Sequence, residues 1–135
     1  MTIHAVRWAV LHGVHGEGLL IQPQGAIRAR VVAIPDADQT PEQLAGIAPG
    51  IEPKAQFARR LAAAGCQVVV PTLISRSDEH SGNARVRFTN QPHREWVYPH
   101  AFQTRRHIIG YELFKVQAII HWFAAENSNV PDPPA

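Results

Sequence analysis

A strand–helix–strand pattern between residues 30 and 70 constrains the fold more than any other feature. Residues 30–34 (RVVAI) and 66–70 (CQVVV) are nearly continuous apolar runs, which is typical of strands covered on both faces. Residues 53–64 between them are expected to form a helix, because one stripe is apolar and Gly65 follows as a stop signal. That stripe contains Phe57, Leu61 and Ala64. The spacing predicts a βαβ unit with parallel strands and a right-handed crossover.

Two further strands are predicted before this unit. Residues 3–11 (IHAVRWAVL) are rich in β-branched and aromatic side chains, and a short apolar run follows at residues 19–21 (LLI). The glycine-rich string HGVHGEG separates the two runs. Because glycines of this kind mark turns, we expect the two strands to form an antiparallel pair.

The segments on either side of the 53–64 helix differ in character. Thr40, Pro41 and Gln43 fit a capping box, and the short helical turn that they start would end at Gly46. Residues 72–97 show no clear period and are expected to form a long loop, which in a compact domain is usually functional or dependent on a partner surface.

The last part of the chain is predicted to hold one long helix. Between residues 99 and 125 the apolar positions recur with helical spacing. They are Phe102, Ile109, Leu113, Val116, Ile120 and Phe123. Residues 127–135 are rich in proline and are expected to form a tail. The predicted fold class is α/β: an antiparallel N-terminal strand pair, then a βαβ unit and a long C-terminal helix, in a single domain of residues 1–126.

Composition places the chain among globular proteins and narrows its partners. It has 135 residues, of which 45% are hydrophobic and 18% charged, which suits one domain with one core. The formal charge of +2 is too small to indicate a nucleic-acid-binding surface. No apolar stretch approaches the ~18 residues of a membrane span, and the N-terminus lacks the pattern of a signal peptide. We therefore expect no nucleic-acid or membrane partner, and a cytoplasmic location by default.

No catalytic nucleophile is recognisable in the sequence. A hydrolase elbow needs G-x-S-x-G on a sharp strand-to-helix turn. None of the four serines has that context: Ser75, Ser77, Ser81 and Ser128. The single cysteine, Cys66, follows Gly65, but it begins a predicted strand instead of ending one. We interpret Cys66 as a buried structural residue, which has no partner for an internal disulfide.

Two acidic residues, Asp36 and Asp38, follow the first strand of the βαβ unit. Open α/β sheets bind ligands at the carboxyl ends of their parallel strands, and a carboxylate pair there can hold Mg²⁺ or provide a nucleophile. The string DADQT resembles the D-x-D-x-T motif of haloacid-dehalogenase-type phosphatases, and Thr72 resembles that family's second motif. Because Pro35 replaces the usual apolar residue, a polar turn leading into Thr40 is the preferred interpretation.

The histidines and arginines form no recognisable site. His12 and His15 lie in a glycine-rich turn without a third ligand at a recognisable spacing. Four others recur on a seven-residue register and are interpreted as surface residues: His93, His100, His107 and His121. Arginines are frequent between residues 76 and 106, but no interleaved aromatic signature of nucleic-acid binding accompanies them.

Four strings carry a resemblance that extends from about Arg7 to Ala125. They are RARVVAIPDADQTPEQLAG, FARRLAAAGCQVVVPTLISR, TNQPHREWVYPHAF and RRHIIGYELFKVQAIIHWFA. Together they resemble large bacterial hydrolases of the dienelactone hydrolase and acetyl xylan esterase type. The resemblance implies the N-terminal half of an α/β-hydrolase fold, and ester hydrolysis by a Ser–His–acid triad.

In that family the triad follows the long helix, so the resemblance implies a chain that is inactive alone and needs no cofactor. What it carries over is the loop that supplies one backbone N–H of the oxyanion hole, here Asp36, Ala37 and Asp38. An uncovered edge strand and an apolar helix predict self-association or a complementary C-terminal hydrolase segment. Two alternatives stay open. One is a small Mg²⁺-dependent phosphatase with Asp36 as nucleophile and Asp38 as acid/base, and the other is a non-catalytic α/β interaction module.

Overall fold

The computed structural model describes residues 1–77 and 92–128 and has an α/β architecture. The strands of these residues are β1 (Thr2–Leu11), β2 (Val14–Gln22), β3 (Ala29–Val32) and β4 (Cys66–Pro71). The α-helices are α1 (Pro41–Ala45), α2 (Phe57–Ala63), α3 (His93–Gln103) and α4 (Ile108–Ser128), and a 3₁₀ turn, Pro53–Ala55, precedes α2. Within the described part of the chain, no helix combines the length and the apolar character that crossing a membrane would require.

The strands form one mixed sheet in the order β1-β2-β4-β3. β2 is antiparallel to both β1 and β4, whereas β3 and β4 are parallel, with Val31 opposite Val68. The predicted antiparallel pair and the parallel strands of the βαβ unit are therefore confirmed. β2 begins at Val14 and not near residue 19, because Gly13, at a φ of 73°, lets the chain reverse within two residues.

Helices cover both faces of this sheet, so the core has two layers of side chains. Alternate residues of a strand point to opposite faces. On one face, β2 and β4 meet α1 and α2 through Leu19, Ile21, Leu44, Ala45, Ala58, Ala62, Val68 and Val70. On the other face, α4 packs against the sheet through Val69, Ile119 and Phe123, with Trp8, Leu20 and Val32 partly buried around them.

The first two helices follow their sequence signals closely, with one correction. Thr40 caps α1 in a complete capping box with Gln43, and Gly46 ends the helix at a φ of 72°. In α2 the predicted stripe is only partly right: Leu61 packs against the core, but Phe57 and Ala64 are exposed and the buried residues are Ala58 and Ala62. Small residues face the sheet here because the helix lies close against β4.

The single long helix predicted over residues 99–125 is wrong: the chain forms two helices. α3 begins at His93, so the last part of the predicted 72–97 loop is helical, and residues 78–91 lie outside the described part. Pro99 lies inside α3, where its missing N–H leaves one helical carbonyl without a backbone donor. The break comes after Gln103, where Arg105 adopts a φ of 57°. α4 then extends to Ser128, beyond the predicted end, and the rest of the predicted tail is outside the described residues.

The predicted apolar face of this region is also wrong, because α4 packs through a different face. Ile119 is 3% exposed, whereas its neighbour Ile120 is 50% exposed and Leu113 is 53% exposed. Of the predicted stripe, only Phe123 is buried, and Phe102 on α3 is 69% exposed. The predicted stripe is therefore apolar but remains largely uncovered in the described structure.

A chain of polar side chains crosses the sheet beneath the end of α4. The Gln67 amide, 5% exposed, donates to Oε1 of Gln22 at 3.1 Å and accepts from Nε of Arg30 at 2.9 Å. Nη1 of Arg30 in turn donates to Oδ1 of Asn127 near the end of α4. The buried amide is thereby satisfied, and β2, β4, β3 and α4 are joined at one end of the domain.

Candidate functional site

The candidate site is a cleft at the carboxyl ends of the parallel strands β3 and β4. We call it the strand-end cleft. It has a volume of about 500 Å³ and lies between the loop that leads into α1 and the segment 72–77 that follows β4. Its polar lining includes Asp38, Thr40, Thr72, Ser75, Arg76 and Ser77. Open α/β sheets place their ligands at such an edge.

The loop Asp36–Asp38 forms one wall of the cleft, and its backbone donors are unequally available. The N–H of Ala37 donates to the carboxylate of Asp36 at 2.7 Å, and the N–H of Asp36 donates to Oε1 of Gln39 at 3.3 Å. For Asp38, which lines the cleft, no acceptor of its N–H is found among the described residues. Of the three predicted oxyanion-loop residues, Asp38 is therefore the one with a backbone donor to offer.

The structure does not bring Asp36 and Asp38 together as a carboxylate pair facing the cleft. Asp38 lines the cleft, whereas the Asp36 carboxylate turns back to its own loop and accepts the N–H of Ala37. Within residues 1–77 and 92–128, His, Cys, Asp and Glu side chains form no group of three suited to a metal ion. A magnesium site at Asp36 and Asp38 therefore stays a prediction, and the described residues add no third side chain of these types to it.

The opposite wall, residues 72–77, is fixed by contacts that sequence reasoning missed. The Nζ of Lys115 donates to the carbonyl oxygen of Thr72 at 3.2 Å, and Oε1 of Glu112 accepts the N–H of Ile74 at 3.3 Å. Arg94 of α3 donates to the same Glu112 oxygen at 3.0 Å. α3 and α4 thus hold one side of the strand-end cleft. The sequence signal for these contacts is the pair of charged residues, Glu112 and Lys115, within a largely apolar stretch of α4.

Burial shapes the electrostatics of this wall. Desolvation lowers the pKa of Lys115 from its ordinary value of 10.5, and it outweighs the opposing effect of the carboxylates of Glu112 and Glu17. The Lys115 amine is thus more easily deprotonated than an exposed lysine. The backbone of Thr72 is held from the other side too, because its N–H donates to the carbonyl oxygen of Glu17 at 2.8 Å.

The described serines and Cys66 do not form a nucleophile elbow. Ser75 and Ser77 lie in the segment after β4, where Ser75 Oγ accepts the N–H of Ser77 at 3.1 Å, and no helix follows directly to make an elbow. Ser81 lies outside the described residues, and Ser128 is the last residue of α4. Cys66 begins β4, as predicted, but it is half-buried at the margin of the core.

Most histidines of the described residues lie on the surface. His12, His15, His100, His107 and His121 are exposed, as predicted, and His93 is half-buried. His100 stacks on Trp96 with ring centroids 4.4 Å apart, while Nδ1 of His107 accepts the N–H of Ile109 at the start of α4.

Comparison with known proteins identified no relative of this chain. No protein-family model matches the chain, and neither a curated protein nor a solved structure matches it.

Proposed function

We propose that this chain is the N-terminal part of an α/β-hydrolase-like domain of the dienelactone hydrolase and acetyl xylan esterase type, inactive alone. Its esterase chemistry would be completed by a segment carrying the serine nucleophile, the acid and the histidine. The parallel β3–β4 pair beside an antiparallel pair, with a polar cleft at its carboxyl end, supports this proposal.

The observation that carries the proposal is the open side of β3. β3 lies at the end of the sheet order and pairs only with β4 among the described residues. Its apolar residues Val31 and Val32 are only half-buried. An apolar edge strand with unpaired backbone groups is a template for a further strand. In the family that the sequence resembles, the strand beside this one carries the nucleophile.

The uncovered stripe of α4 faces the same side as the open edge of β3. Ala118 and Trp122 line an apolar groove with β1, on one flank of α4. Residues two positions away on a helix lie on roughly the opposite flank, so Ile120 faces away from β1. Asn127, seven positions after Ile120 and hence on its flank, contacts Arg30 of β3. A strand added beside β3 would thus arrive with apolar helix surface next to it.

The strand-end cleft would then supply part of the catalytic environment. A serine hydroxyl attacks an ester carbonyl, and the negative charge of the tetrahedral intermediate needs backbone N–H donors. One donor comes from the residue after the nucleophile and a second from the loop after the preceding strand. The available N–H of Asp38 fits the second role. Backbone donation requires no particular side chain at that position.

The test is to determine the DNA that follows codon 135 and to express the chain together with the segment encoded in the same frame. We expect that segment to encode a strand followed by G-x-S-x-G, and the longer protein to hydrolyse p-nitrophenyl acetate. The 135-residue chain alone should show only background hydrolysis, as should the longer protein with the motif serine replaced by alanine. Hydrolysis by the short chain, or a folded longer protein without esterase activity, contradicts the proposal.

A non-catalytic role through association is the second candidate, and the exposed stripe of α4 favours it. Ile109, Leu113 and Ile120 are each at least half exposed on one face. Large uncovered apolar patches mark interaction surfaces. Light scattering of the chain alone tests this candidate separately, because self-association requires no added segment.

A further inference from the structure

A second cleft, separate from the strand-end cleft, lies where α3 and α4 meet the edge of the sheet. We call it the α3–α4 cleft. Its volume is about 420 Å³, which is within the range of small-molecule sites. Its walls are mainly apolar and aromatic, and they include Val14, Ile74, Trp96, Val97 and Tyr111. A flat apolar molecule therefore finds aromatic and aliphatic contact surface in this open cleft.

Lys115 is the one lysine among the residues that line this largely apolar cleft. Lys115 is held in place because its Nζ donates to the carbonyl oxygen of Thr72, and its own carbonyl accepts the indole N–H of Trp8 at 3.2 Å. The hydrogen bond to Thr72 can persist when the amine is neutral, since an NH₂ group still donates. The geometry thus permits the nucleophilic form without breaking the contact that positions it.

The charged and titratable groups around Lys115 influence the pH at which its amine becomes neutral. Glu112 and Glu17 favour its charged form, and desolvation opposes them more strongly, which lowers the pKa of Lys115. His15, His100 and Tyr111 also line the cleft. A desolvated lysine in an apolar pocket is the usual way in which proteins make an amine nucleophilic near neutral pH.

We propose that the amine of Lys115 forms a Schiff base with aromatic aldehydes that bind in the α3–α4 cleft. The amine nitrogen attacks the carbonyl carbon, a C=N bond replaces the C=O bond, and the oxygen leaves as water with the two amine protons. This inference does not rest on the proposed esterase function, because it needs neither an oxyanion-hole donor nor an added segment, although Lys115 also holds Thr72 at the strand-end cleft.

The chain contains its own control, since Lys54 is the other lysine of the sequence. Lys54 is highly exposed and pairs with Glu52 at 2.8 Å in solvent. The experiment treats the folded chain with benzaldehyde and sodium cyanoborohydride near neutral pH, so that hydride from the reagent converts the imine into a stable secondary amine. Peptide mass spectrometry then gives the labelling rate at each lysine. We expect Lys115 to react about tenfold faster than Lys54, because desolvation lowers the pKa of Lys115 and so leaves more of its amine in the neutral, nucleophilic form.

Two further measurements separate binding in the cleft from general reactivity. Benzyl alcohol has the shape of benzaldehyde but forms no imine, and it should slow labelling of Lys115 while leaving Lys54 unchanged. In guanidinium chloride, where the cleft is lost, the two lysines should react at similar rates. The variant Lys54→Arg should keep the fast reaction, and Lys115→Arg should abolish it.

The proposal is overturned if Lys54 reacts as fast as Lys115 in the folded chain. It is also overturned if benzyl alcohol leaves the Lys115 rate unchanged, because the aldehyde would then not be bound in the cleft. Neither comparison needs a variant to fold, since both are made on the unaltered chain.

Discussion

The guanidinium of Arg94 lies 3.0 Å from the carboxylate of Glu112, and this ion pair joins α3 to α4 with both side chains largely shielded from solvent. The same carboxylate accepts the N–H of Ile74. Glu112 therefore connects two helices to the wall of the strand-end cleft, although each of its partners comes from a different part of the chain.

Replacing Glu112 with leucine should lower the free energy of unfolding by about 2 to 4 kcal/mol, because it leaves a shielded guanidinium and a backbone N–H without an acceptor. Glu52→Leu is the matched control, since Glu52 pairs with Lys54 in solvent, and it should change stability by at most about 0.5 kcal/mol. Urea denaturation followed by circular dichroism measures both. Equal effects of the two substitutions would show that the Arg94–Glu112 pair adds nothing.

Lys115 should give the stability a dependence on alkaline pH. Its pKa in the folded protein is lower than the ordinary value of 10.5, so the unfolded chain binds more protons between these two values. Stability from this group must then rise as pH increases through that window. We expect the difference in free energy of unfolding between wild type and Lys115→Met to shift in favour of wild type on raising the pH. A difference that is flat, or that has the opposite slope, would show that burial does not penalise the charged amine.

The adjacent isoleucines Ile119 and Ile120 provide a direct test of how α4 is oriented. The side chains are identical, but Ile119 packs in the core with Phe123, whereas Ile120 is half exposed. Ile119→Ala should cost about 2 to 4 kcal/mol of stability through loss of buried surface and creation of a cavity. Ile120→Ala should cost less than about 1 kcal/mol. A reversed order in urea denaturation would place the other face of α4 against the sheet.

The uncovered stripe of α4 is expected to make the chain self-associate. Leu113→Glu combined with Ile120→Glu should leave the fold intact, because both positions are exposed, and should reduce the concentration-dependent mass seen in light scattering. Arg59→Glu together with Arg60→Glu on the exposed side of α2 is the control for added charge, and it should leave association unchanged. A wild-type chain that stays monomeric at all concentrations counts against the association.

Two glycines should respond oppositely to alanine. A Cβ at Gly18 would overlap the carbonyl oxygen of Val70, because β2 and β4 approach closely there. Gly18→Ala should therefore destabilise the sheet strongly or prevent folding. Gly110, in the first turn of α4, has nothing within 4 Å of such a Cβ. Gly110→Ala should raise stability by up to about 1 kcal/mol through better helix propensity. Thermal melting compares the two variants. Similar melting temperatures for Gly18→Ala and Gly110→Ala would contradict the close approach of β2 and β4 at Gly18.

Local sequence signals were sufficient for much of the fold. The capping box at Thr40 and Gln43 and the stop at Gly65 depend on residues within a few positions of each other, so their physics is contained in the sequence window. The parallel pairing of β3 and β4 follows in the same way from the length of the connection and the apolar runs.

Long-range contacts decided what the sequence could not predict. The apolar pattern of α4 points to the stripe through Leu113 and Ile120, yet the helix is rotated so that Glu112 and Lys115 reach Ile74 and Thr72. Polar partners more than thirty positions away outweigh the local apolar pattern here, because a charged group near the core needs hydrogen bonds. In the candidate site, the cleft edge at Asp38 was predictable, but the opposing wall was not, since it depends on those same contacts.

The polar chain from Gln22 through Gln67 and Arg30 to Asn127 has a consequence for how α4 can settle on the sheet. Apolar contacts alone specify the position of a helix along its axis less strictly than a paired polar group does. A shift of α4 by one turn, about 5.4 Å, would instead carry Asn127 away from Arg30. The guanidinium that satisfies the buried Gln67 amide would lose its anchor. These polar contacts thus fix the position of α4 along its axis, which apolar packing alone would define less strictly.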